Sequence, residues 1–377
     1  MKITLYPASK AFIRNKDIFF ISFLFSNWKI EWLNFFSSID VISFLNARSA
    51  LYFLLKSTKS NNKNEVIISA YTCPTVTESI KKAGYEVVYC DINFETGNIS
   101  IDTLRGLINK RTHSIITANT YGMIDNVVDI KTMIKNKDIY LFEDITWGIG
   151  HFIGKNPIGS FGDASFVSLG FGKTLTVGGG GILLINSKKI KPLYKESKQI
   201  VASSLGDLSS LIKTIFYNLI TNKYIYKLLN FMKLTPSEFV LAIDSIDFLF
   251  NSMSNYKKKL SGITLKNFIG MKSNVSSILN NNLSAKESMY LKHNPNSNNY
   301  FCTSRQSILL KKNIKQDDFI TYINNNGFQA TKGFFQVKKN LDPALHINAI
   351  KYCDTSVTIP TQYNMQSKEL FKLINLI

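Results

Sequence analysis

Ile139-Tyr140-Leu141-Phe142-Glu143-Asp144, followed about thirty residues on by Ser168-Leu169-Gly170-Phe171-Gly172-Lys173, is the stretch on which the fold turns. Four apolar residues closing on two carboxylates predict a buried strand that ends at a polar site, because an unbroken apolar run suits a strand covered on both faces. The second segment continues another such run, Ala164-Ser165-Phe166-Val167, into a hydroxyl, two glycines and a lysine. The glycines Gly178 to Gly181 follow and read as a backbone turn near that lysine. They make no phosphate loop, since no Gly-Lys-Ser/Thr stands at the required spacing.

Further short apolar runs lie on either side: Val66-Ile67-Ile68, Val87-Val88-Tyr89, Ser114-Ile115-Ile116-Thr117 and Ile182-Leu183-Leu184-Ile185. Helix-like stretches such as Val76 to Ala83 and Ile101 to Ile108 separate several of them. This alternation predicts an α/β fold with a mainly parallel sheet flanked by helices on both faces. Ligands of such sheets bind beyond the carboxyl ends of the strands, where Tyr71, Tyr121, Asp144 and Ser168 fall.

The chain has 377 residues, enough for a large core and two domains. Its hydrophobic content of 45% and aromatic content of 12% indicate a globular protein. The formal charge of +19 raises nucleic-acid binding, but the lysines are dispersed and the longest cluster noted is Lys257-Lys258-Lys259. A solvated basic surface is the better reading, and it suits anionic substrates. Cysteines at 73, 90, 302 and 353 lack CxxC spacing, and the histidines at 113, 151, 293 and 346 lack ligand spacing. No metal site is expected, and the reduced cytoplasm fits. The apolar run Ile18 to Phe25 has no small-residue cleavage site and is too short to span a bilayer, so residues 1–40 read as a packed N-terminal arm.

A lysine in flexible backbone, a buried strand-end carboxylate and a nearby hydroxyl are the parts that hold pyridoxal 5'-phosphate (PLP). The lysine amine forms a Schiff base and the carboxylate partners the pyridinium nitrogen. Lys173 and Asp144 are the candidates for these two roles.

Collinear segments make a resemblance specific. Asn46-Ala47-Arg48-Ser49-Ala50-Leu51, the stretch from Glu65 to Pro74, Val87 to Ile92, Asn119-Thr120-Tyr121-Gly122, Glu143-Asp144 and Gly159 to Phe166 leading to Lys173 resemble, in order, the motifs of the DegT/StrS family of fold type I PLP enzymes. The resemblance implies a large domain at 41–255 with a mainly parallel seven-stranded sheet, and a small α/β C-terminal domain at 256–377. Ile359-Pro360 is similar to the latter's strand end. Ser168 matches the family's phosphate-contacting hydroxyl, and the amides of Ser49 and Ala50, at the start of a helix, would add anion contacts. An aromatic residue commonly covers the cofactor ring; direct alignment puts Cys73 there, while stacking favours Tyr71. Two positions depart from the family pattern: Trp147 stands where Gln or His is usual, beside the cofactor, and Asn119 replaces a strand-end His. With Tyr121, Asn119 would face the substrate.

The resemblance implies a PLP-dependent aminotransferase that moves an amino group from glutamate to a nucleotide-linked keto-sugar, in surface-polysaccharide or amino-sugar synthesis, as a homodimer. A same-fold sugar dehydratase or cyclic-ketone aminotransferase is one alternative, although some dehydratases carry His in place of the lysine. A catalytically inactive scaffold in membrane glycan assembly is another. Residues 200–260 bear on the latter, because Leu211, Ile212, Ile215, Phe216, Leu219 and Ile220 recur at helical spacing among lysines. That segment reads as a packed or dimer-contact helix, or as a basic amphipathic helix at a membrane surface. The Asn/Ser-rich stretch at 274–299 reads as a loop between domains.

Overall fold

The computed structural model describes residues 27–190, 207–232, 252–269, 282, 305–311, 313–361, 365 and 367–377. The apolar run at 18–25 and, Asn282 aside, the stretch at 274–299 lie outside them. The chain enters through α1 (Trp28–Phe36) and β1 (Asp40–Phe44). It then alternates through α2 (Ala47–Ser57), β2 (Glu65–Ser69), α3 (Pro74–Ala83), β3 (Glu86–Cys90) and α4 (Ile101–Leu107). β4 (Thr112–Ala118), α5 (Val127–Met133) and β5 (Tyr140–Asp144) continue the pattern. A short hairpin, β6 (Phe152–Ile153) with β7 (Asn156–Pro157), precedes β8 (Ala164–Ser168) and β9 (Gly181–Ile185).

Seven of these strands form one sheet in the order β1-β9-β8-β5-β4-β2-β3. The five strands from β8 to β3 are mutually parallel, while β9 runs antiparallel to both β8 and β1. The mainly parallel α/β sheet expected from the sequence is therefore present. The middles of its central strands are apolar because both faces are covered. Ile67, Ile115, Leu141 and Val167 enter one core with Trp32 of α1, Leu104 of α4 and Ile130 of α5. Their neighbours Val66, Ile68, Ile116, Phe142 and Phe166 enter the other, against Leu51 and Leu54 of α2 and Ile80 of α3. Successive strand residues point to opposite faces, and each face finds its own helices.

Beyond the sheet, α6 (Asp207–Ile220), α7 (Lys223–Phe231) and α8 (Asn255–Ile269) are helical; of the segment 200–260 read as helical, 200–206 and 233–251 lie outside the described residues. The boundary expected at 255/256 falls differently, since Tyr256, Leu260, Leu265 and Phe268 of α8 belong to the large domain's core. Trp32 Nε1 donates to Ser261 Oγ at 3.2 Å, tying α1 to α8. Residues placed in an N-terminal arm, from Trp28 to Asp40, thus build the core and begin a sheet strand. The C-terminal unit contains β10 (Arg305–Leu309), α9 (Gln316–Asn325), α10 (Ile347–Thr355), β11 (Ser356–Pro360) and α11 (Ser367–Leu376). β10 and β11 pair antiparallel, and Ile308, Ile323, Val357 and Leu373 form a separate small core. Among the described residues no helix is long and apolar enough to cross a membrane.

A buried carboxylate joins the two units. Asp91, just past β3, accepts from the backbone N–H groups of Asn348 at 3.1 Å and Ala349 at 2.8 Å. These lie in the first turn of α10, where amides lack partners and the helix dipole favours an anion. The glycine run has an equally direct cause. Gly178, Gly179 and Gly180 have φ of 77°, 119° and 122°, which side chains rarely adopt. At Gly181 a Cβ would stand 2.5 Å from the Asn46 carbonyl carbon and 2.6 Å from Ala47 N, so only glycine lets the start of α2 lie against β9. Gly181→Ala should therefore cost about 1–3 kcal/mol by overpacking against backbone. Thermal melts check this, and an unchanged melting curve contradicts the close approach.

Candidate active site

β4, β5 and β8 are adjacent and parallel, so their carboxyl ends open at one edge of the sheet. There they border a cavity of about 550 Å³. Asp144 ends β5 and Ser168 ends β8, and both line it together with Lys173, Asn119 and Trp147. The structure thus brings the strand-end carboxylate and the lysine into one space.

Local hydrogen bonds hold these groups. Asp144 Oδ1 accepts from Thr146 N at 3.0 Å, and Thr146 Oγ1 accepts from Ser168 N at 3.1 Å. Thr146 therefore ties the ends of neighbouring strands together, a role the sequence reading missed. Burial raises the Asp144 carboxyl above its ordinary range, opposed by the hydrogen bonds from Thr146 and by the charge of Lys173. Ser168 Oγ accepts from Gly170 N at 3.3 Å, which closes the turn leading to Lys173. The Lys173 ammonium lies 4.9 Å from the centre of the Trp147 ring, within cation–π range. Asn119 Nδ2 donates to the Asp144 carbonyl oxygen at 3.2 Å, and its Oδ1 accepts from Asp125 N at 3.1 Å.

Four expected site residues fall elsewhere. Ser49 and Ala50 do not line the cavity: Ser49 N donates to the capping Asn46 Oδ1 at 2.9 Å, and Ala50 N to Asn46 O at 3.3 Å. Ala47 and Arg48, two residues earlier, take the lining place, because Asn46 fixes where the helix begins. Tyr71 is likewise withdrawn. Its ring is fully buried, 4.7 Å from that of Tyr352, and its hydroxyl accepts from Phe334 N at 3.5 Å. Thr72 and Cys73 border the cavity instead.

Tyr121 stands behind the wall, stacked 5.0 Å from Phe334 and tilted 5.0 Å from Trp147. Its φ of 51° is unusual for a side chain this large, and the packed rings hold it there. Phe334, contributed by the C-terminal unit, lines the cavity. No local sequence signal marks it.

Two inner carboxylates shape the strand ends. Glu143 accepts from Gly159 N at 2.9 Å, Phe161 N at 2.8 Å and Gly162 N at 2.6 Å, pinning the loop before β8. Asp125 accepts from Ile99 N and Ala118 N, each at 2.8 Å, and so fixes the end of β4. Neither lines the cavity.

The α/β fold, with its mostly parallel sheet flanked by helices, matches that of PLP-dependent aminotransferase structures. Residues 31–200 match the model of the DegT/DnrJ/EryC1/StrS aminotransferase family. It is 23% identical over 316 residues to GDP-perosamine synthase of Vibrio cholerae, covering 82% of this chain and 76% of that protein. Among solved structures, GDP-4-keto-6-deoxy-D-mannose-3-dehydratase of Escherichia coli, with bound hydrated PLP, superposes with a TM-score of 0.73 at 17% identity over the whole of both chains. The aminotransferase PseC of Helicobacter pylori, involved in the biosynthesis of pseudoaminic acid, gives 0.71 at 15% identity over 100% of this chain and 98% of that one.

Burial pushes the Asp125 carboxyl from 3.8 up to about 6 and the Glu143 carboxyl from 4.5 up to about 7, against backbone N–H groups that favour the anions. The folded chain therefore keeps protons there that the unfolded chain releases. Stability carried by this difference is complete below about pH 4 and falls as pH rises to about 7. Melts across that window should show the fall. Glu143→Gln should flatten its upper part and cost roughly 1–3 kcal/mol, because an amide N–H would face a backbone N–H.

Proposed function

We propose that this chain is a PLP-dependent aminotransferase that moves an amino group from glutamate to a nucleotide-linked keto-sugar in surface-polysaccharide synthesis. The observation that carries the reading is the shared cavity of Lys173 and Asp144. The other lining groups fit the cofactor: a hydroxyl at Ser168, the first turn of α2 with Arg48 for an anion, and the apolar faces of Trp147 and Phe334. Lys173 would hold PLP through its amine, and Asp144 would pair with the ring nitrogen. When bound, PLP takes up the electron pair left at the carbon that loses a proton.

The remaining work belongs to the chain. Lys173 Nζ would take the proton from the donor α-carbon as general base and deliver it as general acid to the cofactor's C4' carbon. Asp144 is held in orientation by the Thr146 N–H, and the Lys173 charge favours its anion against the effect of burial. Trp147 and Phe334 exclude water from the reacting atoms. The names of the Vibrio cholerae and Helicobacter pylori relatives support a sugar acceptor, and the basic surface suits an anionic one. The reading includes a homodimeric enzyme of the bacterial cytoplasm. Dehydration of a keto-sugar is the second reading, favoured by the Escherichia coli neighbour. The amine at 173 supports transfer over dehydration.

Half-reaction spectroscopy tests this. With PLP the purified chain should gain a band near about 410–430 nm. Glutamate should move the band to shorter wavelength, and a nucleotide-linked keto-sugar should restore it while appearing as the amino-sugar. Lys173→Ala should lack the band while keeping the wild-type melting curve. Wild-type protein that takes up no PLP contradicts the proposal, and sugar consumed without gaining nitrogen supports dehydration instead.

A further inference from the structure

α6 is built the wrong way round for a helix on a water-facing surface. Its inner side is anchored to the lysine loop: Tyr217 Oη accepts from Gly172 N at 3.1 Å, and the Tyr217 ring lies 4.3 Å from Phe171. Thr214, Tyr217 and Thr221 are buried on that side. The outer side carries Ile212, Phe216 and Leu219, each more than half exposed, with Ile215 beside them. These positions follow the i, i+3, i+4, i+7 pattern of one helix face. α7 and the residue after it carry a second such row, Tyr224, Leu228 and Met232, again more than half exposed and spaced four apart. Singly exposed apolar residues need no explanation, whereas a run of seven along two consecutive helices marks a contact surface.

Charge identifies the occupant. From 207 to 233 the sequence holds lysines at 213, 223, 227 and 233 against one acid, Asp207, in a chain of formal charge +19. A second copy docked through this face would bring two lysine-bearing segments together. An anionic lipid surface attracts the same lysines and takes up the apolar side chains, and a lysine-bearing helix with Phe and Leu on one face has the composition of helices that lie in that interface. We propose that the outer face of α6 and α7 docks this protein onto membranes rich in anionic phospholipid. The inner side of α6 rests on the Lys173 loop, so docking places the cavity one helix away from the bilayer. The inference stands apart from the cofactor chemistry, and its test does not read activity.

The full chain should float with vesicles of phosphatidylcholine and phosphatidylglycerol mixed about 2:1, and at least tenfold less with phosphatidylcholine alone. Raising salt from about 0.05 to 0.5 M should weaken binding. The double substitution Phe216→Ser with Leu228→Ser should lower vesicle affinity at least tenfold while leaving the melting temperature and PLP uptake unchanged. Absence of wild-type flotation with the anionic vesicles overturns the proposal, as does a double variant that floats like wild type. Sedimentation velocity supplies a third arm: self-association abolished by the same substitutions, without vesicle binding, assigns the face to a second copy and overturns the proposal as well.

Discussion

The structure depends on the parallel pairing of β5 with β8, in which Asp144 stands opposite Phe166. Parallel neighbours end at the same edge of a sheet, so a carboxylate at the end of one strand and a loop leaving the other must meet there. Sequence distance alone would leave Asp144 and Lys173 unrelated. Pairing brings both to one cavity, and Thr146 bridges the two strand ends by hydrogen bonds on either side. Glu143, one residue earlier and facing the interior, gathers three backbone amides of the loop before β8. Adjacent residues of one strand thus serve opposite ends of the design, Asp144 the site and Glu143 its scaffold.

The cavity is closed from directions the sheet does not supply. Phe334 arrives from the C-terminal unit, held against Tyr121 and Tyr71, while Asp91 fixes the start of α10 by accepting two of its amides. On another side Tyr217 of α6 supports the turn before Lys173. A site walled by three separate parts of the chain can exclude water without a single large loop.

Much of this was legible in the sequence because apolar strands covered on both faces leave unbroken runs, and polar residues closing those runs mark the binding edge. Asp144, Ser168, Asn119, Trp147 and Lys173 were all found that way or by the resemblance, and all five border the cavity. Other features rest on pairings no local pattern carries. α1 was assigned to an arm because its partner α8 lies far downstream, with Trp32 Nε1 donating to Ser261 Oγ. With Asn46 as the cap, the cavity-facing positions are Ala47 and Arg48 rather than Ser49 and Ala50, a two-residue difference within the first turn. Tyr71 has the aromatic ring a cofactor wall invites, yet burial with Tyr352 and Phe334 claims it first.

The most direct measurement of the central claim is chemical. PLP-loaded protein is reduced with borohydride, digested and mapped by mass spectrometry, in the wild type and in Asp144→Ala. The account predicts that the wild-type label lies on the peptide containing Lys173 and that Asp144→Ala takes up PLP more weakly at that same lysine. Label spread over surface lysines, or concentrated on a lysine outside the cavity, would contradict it.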